Sequence, residues 1–160
     1  GLGDVYKRQH LHSEGKFAEE LAVIKPATTF WIDKIINDEN DDGSSYSPYM
    51  NGNFVFKNAV VRFEQVIFEA LNHSNLKKED ISLLITHQAN LRISQYIQKR
   101  LNLSDSQVFN NIMKYGNTTA ASIPIALTEA YQSSLIKKGD IVLLAAFGSG
   151  FTWGSALIKW

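Results

Sequence analysis

The sequence predicts an α/β fold, because two apolar patterns alternate along the chain. Nearly continuous apolar runs of strand length lie at 81–85 and 141–146, which is typical of strands buried on both faces of a sheet. Elsewhere, apolar residues recur at helical spacing, as at Phe56, Val60 and Phe63, and this spacing predicts helices that bury one face. The alternation favours a layered fold in which helices cover a sheet.

The first strong helix is predicted to begin at Gly52 and Asn53. Its buried stripe continues through Ile67 and Leu71, so the helix is expected to be long and to belong to the core. Asn53 is expected to cap the first turn, since its side-chain oxygen can accept from a backbone N–H that has no partner within the helix.

A strand ending at Thr86 follows, and another helix comes directly after it. Ile93, Ile97 and Leu101 repeat every four residues and define the buried face of that helix. Arg92 falls on a different face, which can remain in water.

The last third of the chain predicts a strand, a helix and two further strands. Their expected bounds are 108–113, 118–134, 141–146 and 152–160. Pro124 would break a helix interior but is tolerated in a first turn. The helix is therefore expected to start near Ala121 or Ser122.

The composition excludes several classes of function. Basic and acidic residues both number 16, which gives a formal net charge of zero, so nothing favours nucleic acid or a membrane surface as partner. The chain contains no cysteine, which excludes disulfides and thiolate metal sites. No run approaches the roughly 20 apolar residues that a membrane span needs, and no signal peptide is visible. A cytoplasmic enzyme is the simplest expectation.

Three short stretches lie where predicted strands or turns end, which is where layered α/β folds collect ligands and catalytic groups. They are Thr86–Arg92, Tyr115–Thr118 and Phe147–Phe151. His87 and Asn117 could each donate a hydrogen bond from a neutral side chain. Taken alone, His87 is more often a satisfied core histidine, and Asn117 a turn residue beside a glycine.

Four segments of the chain resemble one enzyme family. They are MNGNFVFK, HQANLRI, YGNTTAASIP and AAFGSGFTWGSALIKW, and together they resemble 3-oxoacyl-(acyl-carrier-protein) synthase III, the ketoacyl synthase that starts fatty acid synthesis. The resemblance runs from about His10 to Trp160 and covers only about the C-terminal half of a family chain. It implies the C-terminal half of a thiolase-like layered αβαβα fold, with a mixed sheet flanked by helices.

The resemblance also divides the chain. Residues 51–160 are expected to form the C-terminal thiolase-like domain, and residues 10–50 the crossover and loop region that ends the N-terminal half. The acidic run at 37–45 fits a solvated loop better than a metal site. Residues 1–9, GLGDVYKRQ, do not resemble the family and are predicted to be non-native, with a divergent native N-terminus as the alternative.

By resemblance, His87 and Asn117 are the catalytic pair that stabilises the enolate formed when malonyl-acyl carrier protein loses carbon dioxide. The amide of Ser149 would serve the oxyanion hole. Binding of acyl carrier protein is assigned to Gln88, Ala89, Asn90, Leu91 and Arg92. The tunnel for the pantetheine arm of coenzyme A is assigned to Gly52, Asn53, Val55, Ile93 and Phe147. The resemblance implies an acyl-coenzyme A substrate, no tightly bound cofactor or metal, and a homodimer in the complete enzyme.

The family's nucleophile is a cysteine in the half of the family chain that this sequence does not cover. We therefore expect the 160-residue chain to be inactive by itself. We also expect it to be poorly soluble, because apolar surfaces that pack on the other half would be exposed. Two alternatives stay open: a related condensing enzyme of secondary metabolism, and a non-catalytic module that docks acyl carrier protein. The presence of both His87 and Asn117 argues against the module, since docking alone requires neither.

Overall fold

The structure is a computed structural model that describes residues 6–23 and 48–160. The strands of its main sheet are β1 (Tyr6–Ser13), β4 (Leu83–Thr86), β5 (Ile141–Gly148) and β6 (Thr152–Lys159). Their order across the sheet is β1-β6-β5-β4. β4 is parallel to β5, whereas β6 is antiparallel to both β5 and β1. Two short strands, β2 (Leu21–Ala22) and β3 (Tyr49–Met50), form a separate antiparallel pair.

Helices lie on both faces of this sheet. They are α1 (Gly52–His73), α2 (Leu91–Leu101), α3 (Ile112–Tyr115) and α4 (Ser122–Gln132). Short 3-10 turns occur at Gly15–Glu20, Lys78–Asp80, Asp105–Gln107 and Thr119–Ala121. Side chains alternate along β4: Leu84 joins the apolar cluster beneath α1 and α2, while Leu83 and Ile85 join the cluster beneath α4. The predicted mixed sheet flanked by helices is confirmed, because consecutive strand residues point to opposite faces and each face is covered.

The cap of α1 differs from the prediction. Asn51 precedes the helix, and its Oδ1 accepts from the backbone N–H of Phe54 at 3.4 Å. Asn53 lies inside the first turn and is exposed. The expected cap at Asn53 was therefore wrong by two positions, because the helix begins at Gly52 itself.

β1 enters the main sheet, where residues 6–13 pair along β6 in an antiparallel register. The strand spans position 9/10, the predicted boundary between a non-native segment at 1–9 and a crossover and loop region at 10–50. That division of the chain stays a prediction. Gly154 allows this pairing: a Cβ there would lie 2.7 Å from Leu11 Cδ2 and 2.8 Å from the His10 carbonyl oxygen. The sequence did not predict β1 because an edge strand of mainly polar residues carries no apolar run.

The expected strand at 108–113 is reduced to one bridge. Val108 pairs with Leu84 in parallel, and the N–H of Phe109 donates to Leu84 O at 3.0 Å. From Ile112 the chain is helical, because side-chain hydrogen bonds to Gln88, described below, replace the ladder. The next helix starts at Ser122, where Pro124 predicted it.

Two expectations concern other parts of the chain. The acidic run at 37–45 lies outside the described residues. Among the described helices, none combines the length and the apolar character needed to cross a membrane.

Candidate active site

His87 follows β4 directly and extends the pairing of that strand with β5. Its backbone N–H donates to the Ala145 carbonyl at 2.8 Å, and its side chain is half-buried. The imidazole therefore stands at the carboxyl end of β4 and beside β5, on a backbone that the sheet holds in place. This is the edge at which the sequence predicted it.

The side chain of His87 is held by Ser122, the first residue of α4. His87 Nδ1 lies 2.6 Å from Ser122 Oγ, and the same oxygen accepts from the backbone N–H of Gln88 at 3.2 Å. Ser122 is 2% exposed, so its hydroxyl proton needs a partner within the protein. Nδ1 is the acceptor in reach, because the Gln88 amide can only donate.

This network assigns the tautomer of His87. If Nδ1 accepts from Ser122, the single proton of the neutral ring lies on Nε2. Burial lowers the pKa of His87 below its ordinary value, because desolvation disfavours the charged imidazolium. At neutral pH His87 therefore presents an uncharged N–H donor at Nε2.

The side chain of Gln88 is buried and connects two segments of the chain by hydrogen bonds. Its Nε2 donates to Thr86 O at 2.8 Å, and its Oε1 accepts from the backbone N–H groups of Asn111 and Ile112 at 3.0 and 3.2 Å. The side chain is 3% exposed. The polar atoms of this side chain are thus used inside the fold, where they place the turn that leads to Asn117. The predicted contact of Gln88 with a carrier protein stays a prediction.

Asn117 lies on an exposed turn between α3 and α4. Its Oδ1 accepts from the backbone N–H of Thr119 at 2.9 Å, so the amide NH₂ is what the side chain can offer to a ligand. Gly116 has a φ of 69°, a left-handed value that glycine adopts without strain. The 3-10 turn Thr119–Ala121 then leads directly to Ser122, so both candidate donors are anchored at the start of α4.

The third predicted stretch forms the bend between β5 and β6. Ser149 is exposed at this bend, and its carbonyl accepts from Thr152 Oγ1 at 2.9 Å. Gly150 has a φ of 133°, and a Cβ there would come within 2.8 Å of Thr152 Cγ2. The bend thus requires glycine at 150, and Ser149 beside it lies at the surface.

Comparison with known proteins identifies the family of the chain. Residues 71–160, more than half of the chain, match the family described as 3-Oxoacyl-[acyl-carrier-protein (ACP)] synthase III C terminal. The chain belongs to this family.

The curated synthase III relatives are longer than this chain. It is 52% identical over 113 residues to the beta-ketoacyl-[acyl-carrier-protein] synthase III of Campylobacter jejuni, an alignment that covers 71% of this chain and 35% of the relative. With the enzyme of that name from Clostridium tetani it is 40% identical over 163 residues, covering 100% of this chain and 48% of the relative. The chain therefore spans less than half the length of these relatives.

Solved synthase III structures share the fold. The structure from Thermus thermophilus matches with a TM-score of 0.82 and 39% identity, covering 97% of this chain and 46% of that one. The structure from Aquifex aeolicus matches with a TM-score of 0.81 and 38% identity, covering 98% and 44%. The predicted thiolase-like fold is confirmed.

The other residues predicted to bind carrier protein lie at the start of α2 or just before it. They are Ala89, Asn90, Leu91 and Arg92. Asn90 caps the helix, since its Oδ1 accepts from the backbone N–H of Arg92 at 2.9 Å. Ala89 and Arg92 are exposed, whereas Leu91 is half-buried. Asn90 is exposed as well, so Ala89, Asn90 and Arg92 are the members of the segment that lie open to a partner.

The residues predicted to line a tunnel lie in different environments. Gly52 and Asn53 are exposed at the start of α1, and Ile93 is half-buried. Val55 and Phe147 instead belong to the core, where the Phe147 ring lies 4.9 Å from that of Phe151. Packing in the core accounts for the apolar side chains at Val55 and Phe147. Their predicted contact with a pantetheine arm stays a prediction.

Sequence reasoning missed one residue of the site. Ser122 was interpreted only as a possible helix start, and its hydrogen bond to His87 spans 35 positions of the chain. A serine in the first turn of a helix usually satisfies a local backbone group. No local signal distinguishes a serine that faces another element.

Proposed function

We propose that this chain forms the enolate-stabilising part of a condensing enzyme that initiates fatty acid synthesis. The observation that carries the proposal is the setting of His87, a neutral imidazole at the end of β4 with Ser122 on Nδ1 and its own N–H on Nε2. Membership of the synthase III family supports the reaction class.

The proposed reaction begins with transfer of an acyl group from coenzyme A to a cysteine thiolate, with coenzyme A leaving as its thiolate, which takes a proton from solvent. This chain has no cysteine, so the nucleophile would come from residues outside this sequence. Malonyl-acyl carrier protein then loses carbon dioxide, and the electron pair of the broken C–C bond forms an enolate. The enolate carbon attacks the acyl thioester, the new C–C bond forms and the cysteine thiolate leaves.

In this scheme His87 Nε2–H and Asn117 Nδ2–H donate to the enolate oxygen. The amide oxygen of Asn117 is held by Thr119, which turns the NH₂ into the available end. Two fixed neutral donors lower the barrier to decarboxylation because they stabilise charge that appears only as the bond breaks. The amide of Ser149 would donate to the tetrahedral intermediate that follows.

Arg92 is proposed to meet the acidic surface of acyl carrier protein. It is exposed, and no acidic partner is assigned to it in the described part of the chain. Arg92→Glu should raise the KM for the carrier-linked substrate and leave kcat nearly unchanged, whereas Lys99→Glu on the same helix should have little effect. We further propose that the complete enzyme works in the cytoplasm as a homodimer.

The proposal can be tested in a chimaera. The part of the Clostridium tetani relative that precedes the aligned region is joined to this chain, and condensation of acetyl-coenzyme A with malonyl-acyl carrier protein is measured. His87→Ala and Asn117→Ala should each lower kcat on the order of a hundredfold, with unchanged melting curves. Asn72→Ala, an exposed asparagine on α1, is the matched control and should be silent.

Three results would contradict the proposal or a part of it. A folded chimaera that binds carrier protein without turnover would favour the docking module. Full activity of His87→Ala would remove the histidine from the mechanism. Condensation by the 160-residue chain alone would show that the nucleophile need not come from elsewhere.

A further inference from the structure

A second group of ionisable side chains lies where β1 crosses the end of α1. We call it the β1–α1 histidine cluster, and its members are His10, His12, Glu69 and His73. His10 and His12 are two positions apart on β1, and Glu69 and His73 are one helical turn apart on α1. The two members of each pair therefore point in the same direction. The cluster contains three of the four histidines of the chain.

The side-chain atoms of the cluster are close together. His10 Nδ1 lies 3.3 Å from Glu69 Oε1, and His12 Nε2 lies 2.6 Å from Glu69 Oε2. His73 Nδ1 is 3.4 Å from His10 Nε2. One ligand atom from each of His10, Glu69 and His73 can be chosen so that all lie within 4.8 Å of one another. On a tetrahedral zinc ion, with bonds of about 2.0–2.1 Å, neighbouring ligand atoms are about 3.3 Å apart.

The surroundings fix the cluster on one side and leave it open on the other. The side chain of His10 is only 10% exposed, whereas His73 is exposed. The ring of His12 stacks on Trp153 with centroids 5.4 Å apart, and the Arg62 guanidinium lies 4.7 Å from the same Trp153 ring. The carboxylate of Glu69 is half-buried and contacts His10 and His12 through its two oxygens. Its two oxygens are therefore held in fixed positions beside the imidazoles.

We propose that His10, Glu69 and His73 bind a divalent transition-metal ion of the zinc type, with His12 orienting the carboxylate. Imidazole nitrogen and carboxylate oxygen suit zinc, cobalt, nickel and copper rather than calcium or magnesium. Three protein ligands leave a coordination position for water at the open side. His12 acts as the outer partner, because a hydrogen bond to the second oxygen fixes how the first oxygen points.

The site would fasten an edge strand to a helix. β1 has a hydrogen-bonded neighbour on its β6 side, and an ion shared by β1 and α1 would add a second attachment. A ligand that binds the folded chain and not the unfolded chain raises stability in proportion to its occupancy. The sequence did not predict this site because its ligands are separated by up to 63 positions, and no short metal motif is present.

The test is a titration of the untagged 160-residue chain with zinc alone, monitored by isothermal titration calorimetry. The titration is repeated with cobalt, whose visible absorption reports its ligands. Copper provides a third readout, since an ion in the cluster should quench the neighbouring Trp153. The proposal expects one zinc per chain, a melting temperature that rises with zinc, and cobalt bands typical of four or five ligands. If the chain is insoluble alone, the chimaera described above takes its place.

Variants then locate the ion. His73→Ala removes an exposed ligand and should weaken zinc binding at least tenfold, while its melting curve in chelator stays unchanged. Asn72→Ala, the adjacent exposed residue on α1, should bind zinc as the parent does. His12→Gln should weaken binding by a smaller factor than His73→Ala. Absence of a one-to-one isotherm at submillimolar zinc in the unsubstituted chain, or equal zinc affinity in His73→Ala and Asn72→Ala, would overturn the proposal.

Discussion

Ser122 Oγ lies 2.6 Å from His87 Nδ1, and this bond joins the carboxyl end of β4 to the first turn of α4. The same oxygen accepts from the Gln88 backbone N–H at 3.2 Å. One hydroxyl therefore sets both the position of the catalytic candidate and the protonation of its ring.

Removal of the hydroxyl should change the tautomer of His87. In Ser122→Ala neither ring nitrogen is favoured by a hydrogen bond, so we expect kcat of the chimaera to fall on the order of tenfold with KM unchanged. Nitrogen NMR of the ring should show the Nε2–H form in the parent and a mixture in the variant. Ser122→Thr keeps the hydroxyl and should restore the parent spectrum, and Ser133→Ala at the exposed end of α4 is the control. A parent ring protonated at Nδ1 would refute the assignment.

The buried imidazole should also make stability depend on pH. Burial lowers the pKa of folded His87 below the unfolded value of 6.5, so the unfolded chain binds the proton more readily. Stability is then unaffected above the unfolded pKa and is lost as the pH falls from 6.5 toward the folded value. The urea midpoints of the parent and of His87→Gln are measured across this pH window. The midpoint should change less steeply with pH in the variant than in the parent. Identical slopes would mean that His87 titrates alike in both states.

Gln88 should matter for stability more than for carrier binding. Gln88→Leu leaves the N–H groups of Asn111 and Ile112 without their acceptor, and we expect a loss of about 2 kcal/mol in the free energy of unfolding. Because those groups begin the turn before Asn117, kcat should fall as well. Gln95→Leu, at an exposed position of α2, should change stability by less than about 0.5 kcal/mol. Equal stability of the two variants would show that the hydrogen bonds of the Gln88 side chain do not contribute to the free energy of unfolding.

The docking of β1 can be tested at Gly154. Gly154→Ala places a methyl group within 3 Å of β1 atoms, so we expect β1 to be displaced and the chain to lose about 1–3 kcal/mol. Gly15→Ala is the matched control, since a Cβ there meets nothing within 4 Å. Amide hydrogen exchange of residues 8–13 should be faster in Gly154→Ala than in the parent, and unchanged in Gly15→Ala. Unchanged protection would mean that β1 does not pack on β6 in solution.

The local elements could be predicted because their signals are local. The apolar run before Thr86 and the stripe from Phe56 to Leu71 gave a strand and a helix that the structure contains. Failures occurred where a neighbour decided the outcome. Residues 108–113 form a single bridge because Gln88 captures the backbone N–H groups at 111 and 112.

The sequence by itself determined the α/β class, the family and the candidate pair His87 and Asn117, since apolar periodicity and short motifs are written in consecutive residues. Only the tertiary structure decided that Ser122 holds His87, that Gln88 faces inward and that β1 joins the sheet. These contacts connect residues far apart in the chain, as the 35 positions between His87 and Ser122 illustrate. Such contacts arise when packed strands and helices bring distant side chains within hydrogen-bond distance, and no spacing within one segment encodes them.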